Sequence, residues 1–278
     1  MRAMSFGTIA DEYNRLRPDP ADSAVEWLLP SRRDQIVDLA AGTGKLTRAL
    51  ARRAGRVVAI EPDCRMGAVL RSQPPASPAT PASPATSAFP ASPASSASSA
   101  SPATSMAVVA GLGEAIPLRA ESADGLFISS AWHWMNPALA VPEIARVLRD
   151  GGRFGLIWTS RDREVDWVRE LDRLREPERT TERENLGSVR RRNRYVALPH
   201  PSPFTGIETA AFTYSKTMTA DDVVEMVGTY SRVIVASGEE RAATLAKVRA
   251  ALDARFPGAR ELEVPIRSQC WRATRLAR

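Results

Sequence analysis

The stretch Gln35-Ile36-Val37-Asp38-Leu39-Ala40-Ala41-Gly42-Thr43-Gly44 decides how this chain folds: a short apolar run, broken by Asp38 and closed by a glycine turn. A run of that length bounded by glycine predicts a buried strand entering a tight turn. Gly42 and Gly44 have no Cβ, so the backbone there can bend sharply and approach a ligand closely. Lys45 to Arg53 follows with Leu46, Ala49 and Leu50 on one helical face, and Arg56 to Ile60 reads as a second apolar strand. Strand, helix and strand in so few residues make a βαβ unit.

Further along, Ala107 to Ala110 and Gly125 to Ser129 read as a third and a fourth strand. Between Pro137 and Arg149 the apolar positions Ala140, Ile144, Val147 and Leu148 recur at helical spacing, with Asp150-Gly151-Gly152 as the stop and Arg153 to Thr159 as a fifth strand. This alternation predicts an α/β fold: a doubly wound, mostly parallel sheet with helices on both faces. Past Ser160 the pattern becomes charge-rich helix. Thr219 and Asp222 then form a capping box, Glu239 to Phe256 is amphipathic, and Glu261 to Arg267 alternates like a half-exposed strand. Residues 205–278 are expected to complete the sheet's edge.

One segment stands outside this pattern. Residues 72–113 carry no charge, and from Pro74 to Ser105 the chain is almost only Ala, Ser, Pro and Thr. Frequent proline excludes helix and central strand, and such small side chains bury too little surface to offset the entropy of ordering. The stretch 72–106 is therefore expected to be a disordered insert within the core.

The chain has 278 residues, 44% of them hydrophobic and 25% charged, which allows a full core in a soluble protein. Cys64 and Cys270 lie far apart without a metal-ligand cluster, and read as reduced thiols. Charges in Met1 to Arg17, and the lack of a long apolar run elsewhere, argue against secretion and membrane spanning and for a cytoplasmic protein. The net charge of +6 is densest at Arg190, Arg191, Arg192 and Arg194, yet that region is also rich in carboxylates, which favours a solvated face over a nucleic-acid partner.

Glu61, at the end of the second strand, is placed to accept both hydroxyls of a ribose. A dinucleotide fingerprint fails because Thr47 stands at the third glycine position. A phosphate-binding P-loop fails because Lys45 is followed by Leu46 and position 39 is Leu. Asp38 to Gly44 instead resembles motif I of the class I S-adenosylmethionine-dependent methyltransferases. Glu61-Pro62-Asp63 with Met66, Gly113-Glu114-Ala115-Ile116-Pro117, Ala131-Trp132-His133-Trp134 and Leu148 to Gly152 resemble, in order and spacing, landmarks of the small-molecule type (methyltransferase type 11 domain) similar to ubiquinone and menaquinone biosynthesis enzymes. Phe6-Gly7 and Tyr13 to Pro18 resemble the segment that covers the cofactor in that family.

The resemblance implies a Rossmann-like seven-stranded fold and a methyltransferase (EC 2.1.1.-) that uses S-adenosyl-L-methionine without a metal. The implied cofactor residues are Asp38, Ala40, Gly42, Thr43, Gly44, Glu61, Pro62, Met66, Gly113, Glu114, Ala115, Ser130 and Trp132. Where members often carry an Asp or Ser that bonds the adenine amino group, this chain has Leu112. The implied layout is an N-terminal helical lid (1–34), a cofactor-binding core (35–160), a charged lid and substrate region (161–204) and a C-terminal completion of the sheet (205–278).

Ser129, Ser130, Trp132 and His133 are expected on the methyl-transfer side, with Tyr13, Trp158 and residues 161–195 forming the acceptor pocket. His133 lies just past the fourth strand, where an imidazole could take a substrate proton or serve a structural role between two tryptophans. Ser130-Ala131-Trp132-His133 stands where enzymes acting on nucleobase amines carry a [DN]PP[YFW] motif, so a small, apolar acceptor is favoured. Two alternatives remain: an RNA methyltransferase using Arg190 to Arg194, and a degenerate fold that binds or regulates.

Overall fold

The structure, a computed structural model, describes residues 10–73, 105–174, 196 and 198–277. Phe6-Gly7, nearly all of the insert and the Arg190–Arg194 cluster lie outside the described residues.

Two helices, α1 (Ala10–Leu16) and α2 (Asp22–Leu28), precede the sheet. Then come β1 (Gln35–Leu39), α3 (Lys45–Ala51), β2 (Arg56–Ile60), α4 (Cys64–Ser72), β3 (Ser105–Val109), β4 (Ala123–Ser129), α5 (Pro137–Val147), β5 (Leu148–Arg161) and α6 (Asp166–Arg173). Beyond these are β6 (Phe204–Thr219), α7 (Ala220–Gly228), a helical turn (Ser231–Ile234), α8 (Gly238–Arg255) and β7 (Glu261–Arg275). The sheet has 7 strands in the order β3-β2-β1-β4-β5-β7-β6. The first five are parallel, and β7 runs antiparallel to both β5 and β6.

Side-chain alternation explains why the parallel strands are apolar throughout, since both faces are covered. Ile36, Val57 and Phe127 point to the face carrying α2 and α3, against Val25, Leu28, Leu46 and Leu50. Val37, Leu126 and Ile128 point to the other, against Val141, Ile144 and Val147 of α5. A third cluster joins α7 and α8 to Val264 and Ile266 of β7.

Several details differ from the sequence reading. Ser72 ends α4, and Ser105 and Met106 begin β3, so the two ends of the 72–106 insert belong to ordered elements. The glycines after α5 do not separate it from β5: the strand starts at Leu148, paired with Ala123, and takes Gly151 at φ +72° across a register shift. α2 is a core helix rather than part of a covering segment, because Ala24, Val25 and Leu28 are fully buried. β7 continues to Arg275 and is an interior strand, and the long β6 was not foreseen. β6 hides its period because it is an edge strand whose residues are largely exposed. The predicted cap forms, Thr219 and Asp222 bonding reciprocally at α7, and a second capping box, Ser237 with Glu240, starts α8.

No helix among the described residues is long and apolar enough to cross a membrane. Cys64 is exposed, and Cys270 is buried, its thiol pushed up to about 12 by desolvation.

Candidate functional site

Strand order reverses between β1 and β4, and in an open α/β sheet such a reversal leaves a crevice beyond the carboxyl ends of the strands. A cavity of about 670 Å³ lies there. Its floor is a set of unusual backbone conformations: Ala40 (φ +57°) and Gly42 (φ +57°) after β1, and Ser130 (φ +56°) after β4. Left-handed alanine and serine are strained, and such residues cluster at functional sites.

The two glycines of the turn do different work. A Cβ at Gly42 would meet nothing within 4 Å, leaving that stretch of backbone open to a ligand. A Cβ at Gly44, at φ +87°, would lie 2.1 Å from Leu70 Cδ1, so this glycine lets α3 pack against α4. Gly44→Ala is expected to destabilise the protein by roughly 2–4 kcal/mol, from overpacking and left-handed strain together. A shift of the urea midpoint checks this, and an unchanged midpoint would refute it.

Two carboxylates sit at the turn. Asp38 is fully buried: Oδ2 accepts the Thr47 hydroxyl at 2.5 Å, while Oδ1 has no partner among the described residues. Burial, with the nearby Glu61 charge adding, pushes its pKa up to about 7, against the Thr47 hydrogen bond. Glu61 accepts the Gly42 N–H through Oε2 and the Asp63 N–H through Oε1, both at 2.8 Å. Its pKa is also raised by burial, and those two N–H donors oppose the shift. Each Glu61 oxygen retains a second lone pair, so the side chain can still accept two hydroxyls, as a vicinal diol would offer. Thr43 Oγ1 is likewise buried without a partner among the described residues.

The cavity brings together Ala40, Gly42, Thr43, Glu61, Pro62, Met66, Gly113, Glu114, Ser130, Trp132 and His133, along with Tyr13, Ser129 and Trp158. Asp38 and Gly44 are not on its wall but behind the turn, and Ala115 is exposed outside it. Glu114 accepts the Asn136 N–H at 2.8 Å, and Asn136 caps α5. Trp132 is a core residue as much as a wall residue, its ring 5.7 Å from Phe154. His133 is exposed at the rim, its ring 4.5 Å from that of Trp134. Leu112, 55% exposed, also faces the cavity. Among the further wall residues, Arg17 and Arg163 belong to the segments expected to cover the cofactor and to form the acceptor pocket, whereas Tyr230 had not been anticipated. No motif marks Tyr230, which follows α7. Among the described residues no group of His, Cys, Asp and Glu could hold a metal ion.

The model of the methyltransferase domain family matches residues 37–156. An uncharacterised methyltransferase of Mycobacterium tuberculosis is 33% identical over 276 residues, covering 98% of this chain and 96% of the relative. An uncharacterised methyltransferase-like protein of Schizosaccharomyces pombe is 25% identical over 260 residues, covering 90% of this chain and 84% of its own. Among solved structures, a chain described as a type II methyltransferase from Anaeromyxobacter dehalogenans superposes with a TM-score of 0.61 at 24% identity, covering 94% of this chain and 99% of that one.

Proposed function

This chain belongs to the methyltransferase domain family and is an S-adenosylmethionine-dependent methyltransferase, and from that premise we propose that it methylates a small-molecule acceptor by direct in-line displacement in the cavity above β1 and β4. The observation that carries this reading is the Glu61 carboxylate, held by two backbone N–H groups with two lone pairs left over, beside the side-chain-free backbone at Gly42. A ribose diol fits that pair of acceptors. The orphaned Asp38 Oδ1 and Thr43 Oγ1 near the same turn fit a polar, partly cationic ligand.

When bound, S-adenosylmethionine supplies an electrophilic methyl group. The residues of the chain supply orientation and exclusion of water rather than a covalent intermediate. Glu61 fixes the ribose end, Gly113 and Glu114 offer backbone contacts to the adenine beside Leu112, and Ser129, Ser130 and Trp132 border the acceptor side. His133 holds a ring nitrogen at the rim that can receive an acceptor proton. A cavity of about 670 Å³ suits a cofactor together with a small acceptor.

Calorimetric titration with S-adenosylmethionine and S-adenosylhomocysteine tests this. Saturable binding is expected, and it should weaken roughly 10-fold in Gly42→Ala, which places a methyl on the open backbone; no heat for the intact protein would refute the site.

A further inference from the structure

Opposite the acidic end of the cavity stands a cationic one. Arg17, at the end of α1, lines the wall with its guanidinium carbon 3.9 Å from the Tyr230 ring centre and 5.1 Å from that of Tyr13. Nε donates to Thr229 Oγ1 at 3.0 Å and Nη2 to the Thr229 carbonyl at 2.9 Å, so the group is held in one orientation. Arg163, just past β5, also lines the wall and pairs with Asp172 of α6.

The same Asp172 accepts from Nη2 of Arg161 at 2.7 Å. Arg161 is the largest fully buried side chain among the described residues, and its Nε and Nη1 have no hydrogen-bond partner among them. Its guanidinium carbon lies 5.6 Å from the Tyr230 ring centre, which links it to Arg17. Among the described residues, Arg161 and Arg163 thus share one carboxylate, Asp172, and Arg17 is paired with none; Arg161 lies behind the wall rather than on it. The neighbouring Lys45 is different, because Asp19 answers its charge at 3.0 Å. A buried guanidinium with unmet donors is costly, and a net positive wall beside a cavity favours an anion.

Trp158 of β5, the strand that leads to Arg163, also lines the wall. β2, which presents Glu61, and β5, which leads to Arg163, are separated in the sheet by β1 and β4, or roughly 14 Å at the usual strand spacing. A ribose at one end and an acidic group at the other would leave the reacting atoms above β1 and β4.

We propose that the methyl acceptor is a small carboxylic acid whose carboxylate is anchored by Arg17 and Arg163 and whose aromatic or aliphatic body carries a separate nucleophilic oxygen or nitrogen; that atom takes the methyl as the methyl–sulfur bond breaks, leaving S-adenosylhomocysteine and releasing a proton. This rests on the cofactor reading above, and the test separates the two. The protein is first titrated with S-adenosylhomocysteine; then, with that ligand saturating, it is titrated with phenylacetate and octanoate and with their uncharged amides.

The acids are expected to bind at least 10-fold more tightly than the amides. Arg17→Gln and Arg163→Gln should each lower acid affinity about 10-fold while amide affinity stays within about 2-fold, and in Arg163→Gln, which lies outside the cofactor-covering segment, S-adenosylhomocysteine affinity should also stay within about 2-fold. Arg17→Lys should keep part of the preference, since it retains charge but not the planar fork. Two separate arginine variants guard against one of them loosening α1. Binding of S-adenosylhomocysteine with no preference of acid over amide, or a preference that survives both Gln variants, overturns the anionic acceptor alone. Failure of S-adenosylhomocysteine to bind overturns the cofactor reading first, and this proposal with it.

Discussion

Glu61→Ala is expected to raise the dissociation constant for S-adenosylhomocysteine roughly 100-fold, equivalent to about 2.7 kcal/mol. The magnitude corresponds to losing two hydrogen bonds, each with a net worth toward the top of the usual range of about 0.5–1.5 kcal/mol. Both Glu61 oxygens already hold a backbone N–H, so the substitution also frees the turn at Gly42 and Asp63. Against that loss stands the removal of a carboxylate whose pKa burial has raised, which relieves the folded protein of a desolvated charge. The melting temperature without ligand should therefore move by only about 3 °C, while the ligand-induced rise in melting temperature largely disappears. Unchanged affinity in a folded variant would remove Glu61 from the cofactor site.

Asp38 should make the ligand-free protein less stable as pH rises. Its carboxyl is held up to about 7 in the folded state, against the ordinary 3.8. Between those values the folded chain keeps a proton that the unfolded chain has released, so stability falls with rising pH. This contribution is fully favourable below about pH 4 and is lost by pH 7–8, with a total on the order of 4 kcal/mol for a shift of this size. Asp38→Asn removes the titration and still offers an oxygen to the Thr47 hydroxyl. In thermal melts from pH 5 to 8 the substitution should flatten the slope and raise the melting temperature at pH 8 by roughly 5 °C. A variant with the same slope as the parent would show that another group titrates.

How much of this was legible in the sequence depended on how local the cause was. β1, β2 and β4 could be read because burial on both faces demands continuous apolar runs, and the turn because Gly42 and Gly44 need left-handed backbone. The Asp38 and Glu61 pair followed from the same few residues. β6 could not be read, because an edge strand of exposed Thr, Ala and Ser carries little periodic signal. Ala115 matched a motif position, yet it is exposed and not among the residues that line the cavity. The arginine–tyrosine cluster was out of reach: Arg17, Arg161 and Tyr230 meet only through the packing of α1, β5 and α7, and no spacing encodes that meeting.

The position of β7 has a kinetic consequence. It follows every other described strand in the chain yet occupies an interior place in the sheet, between β5 and β6. Its pairing with β5 joins residues as distant as Arg153 and Thr274, so the whole intervening stretch must be looped out before that ladder can form. Contacts of such high sequence separation slow folding, because loop closure precedes any gain from the pairing. Until 261–275 inserts, the β5 edge is bare and β6 has no neighbour to attach to. The βαβ half with the cofactor turn can collapse early on local contacts, while the arginine-bearing end of β5 waits for the last strand. The slow step of refolding should therefore be closure of the sheet around β7, with the partly open species before it the one most prone to associate through exposed strand edges.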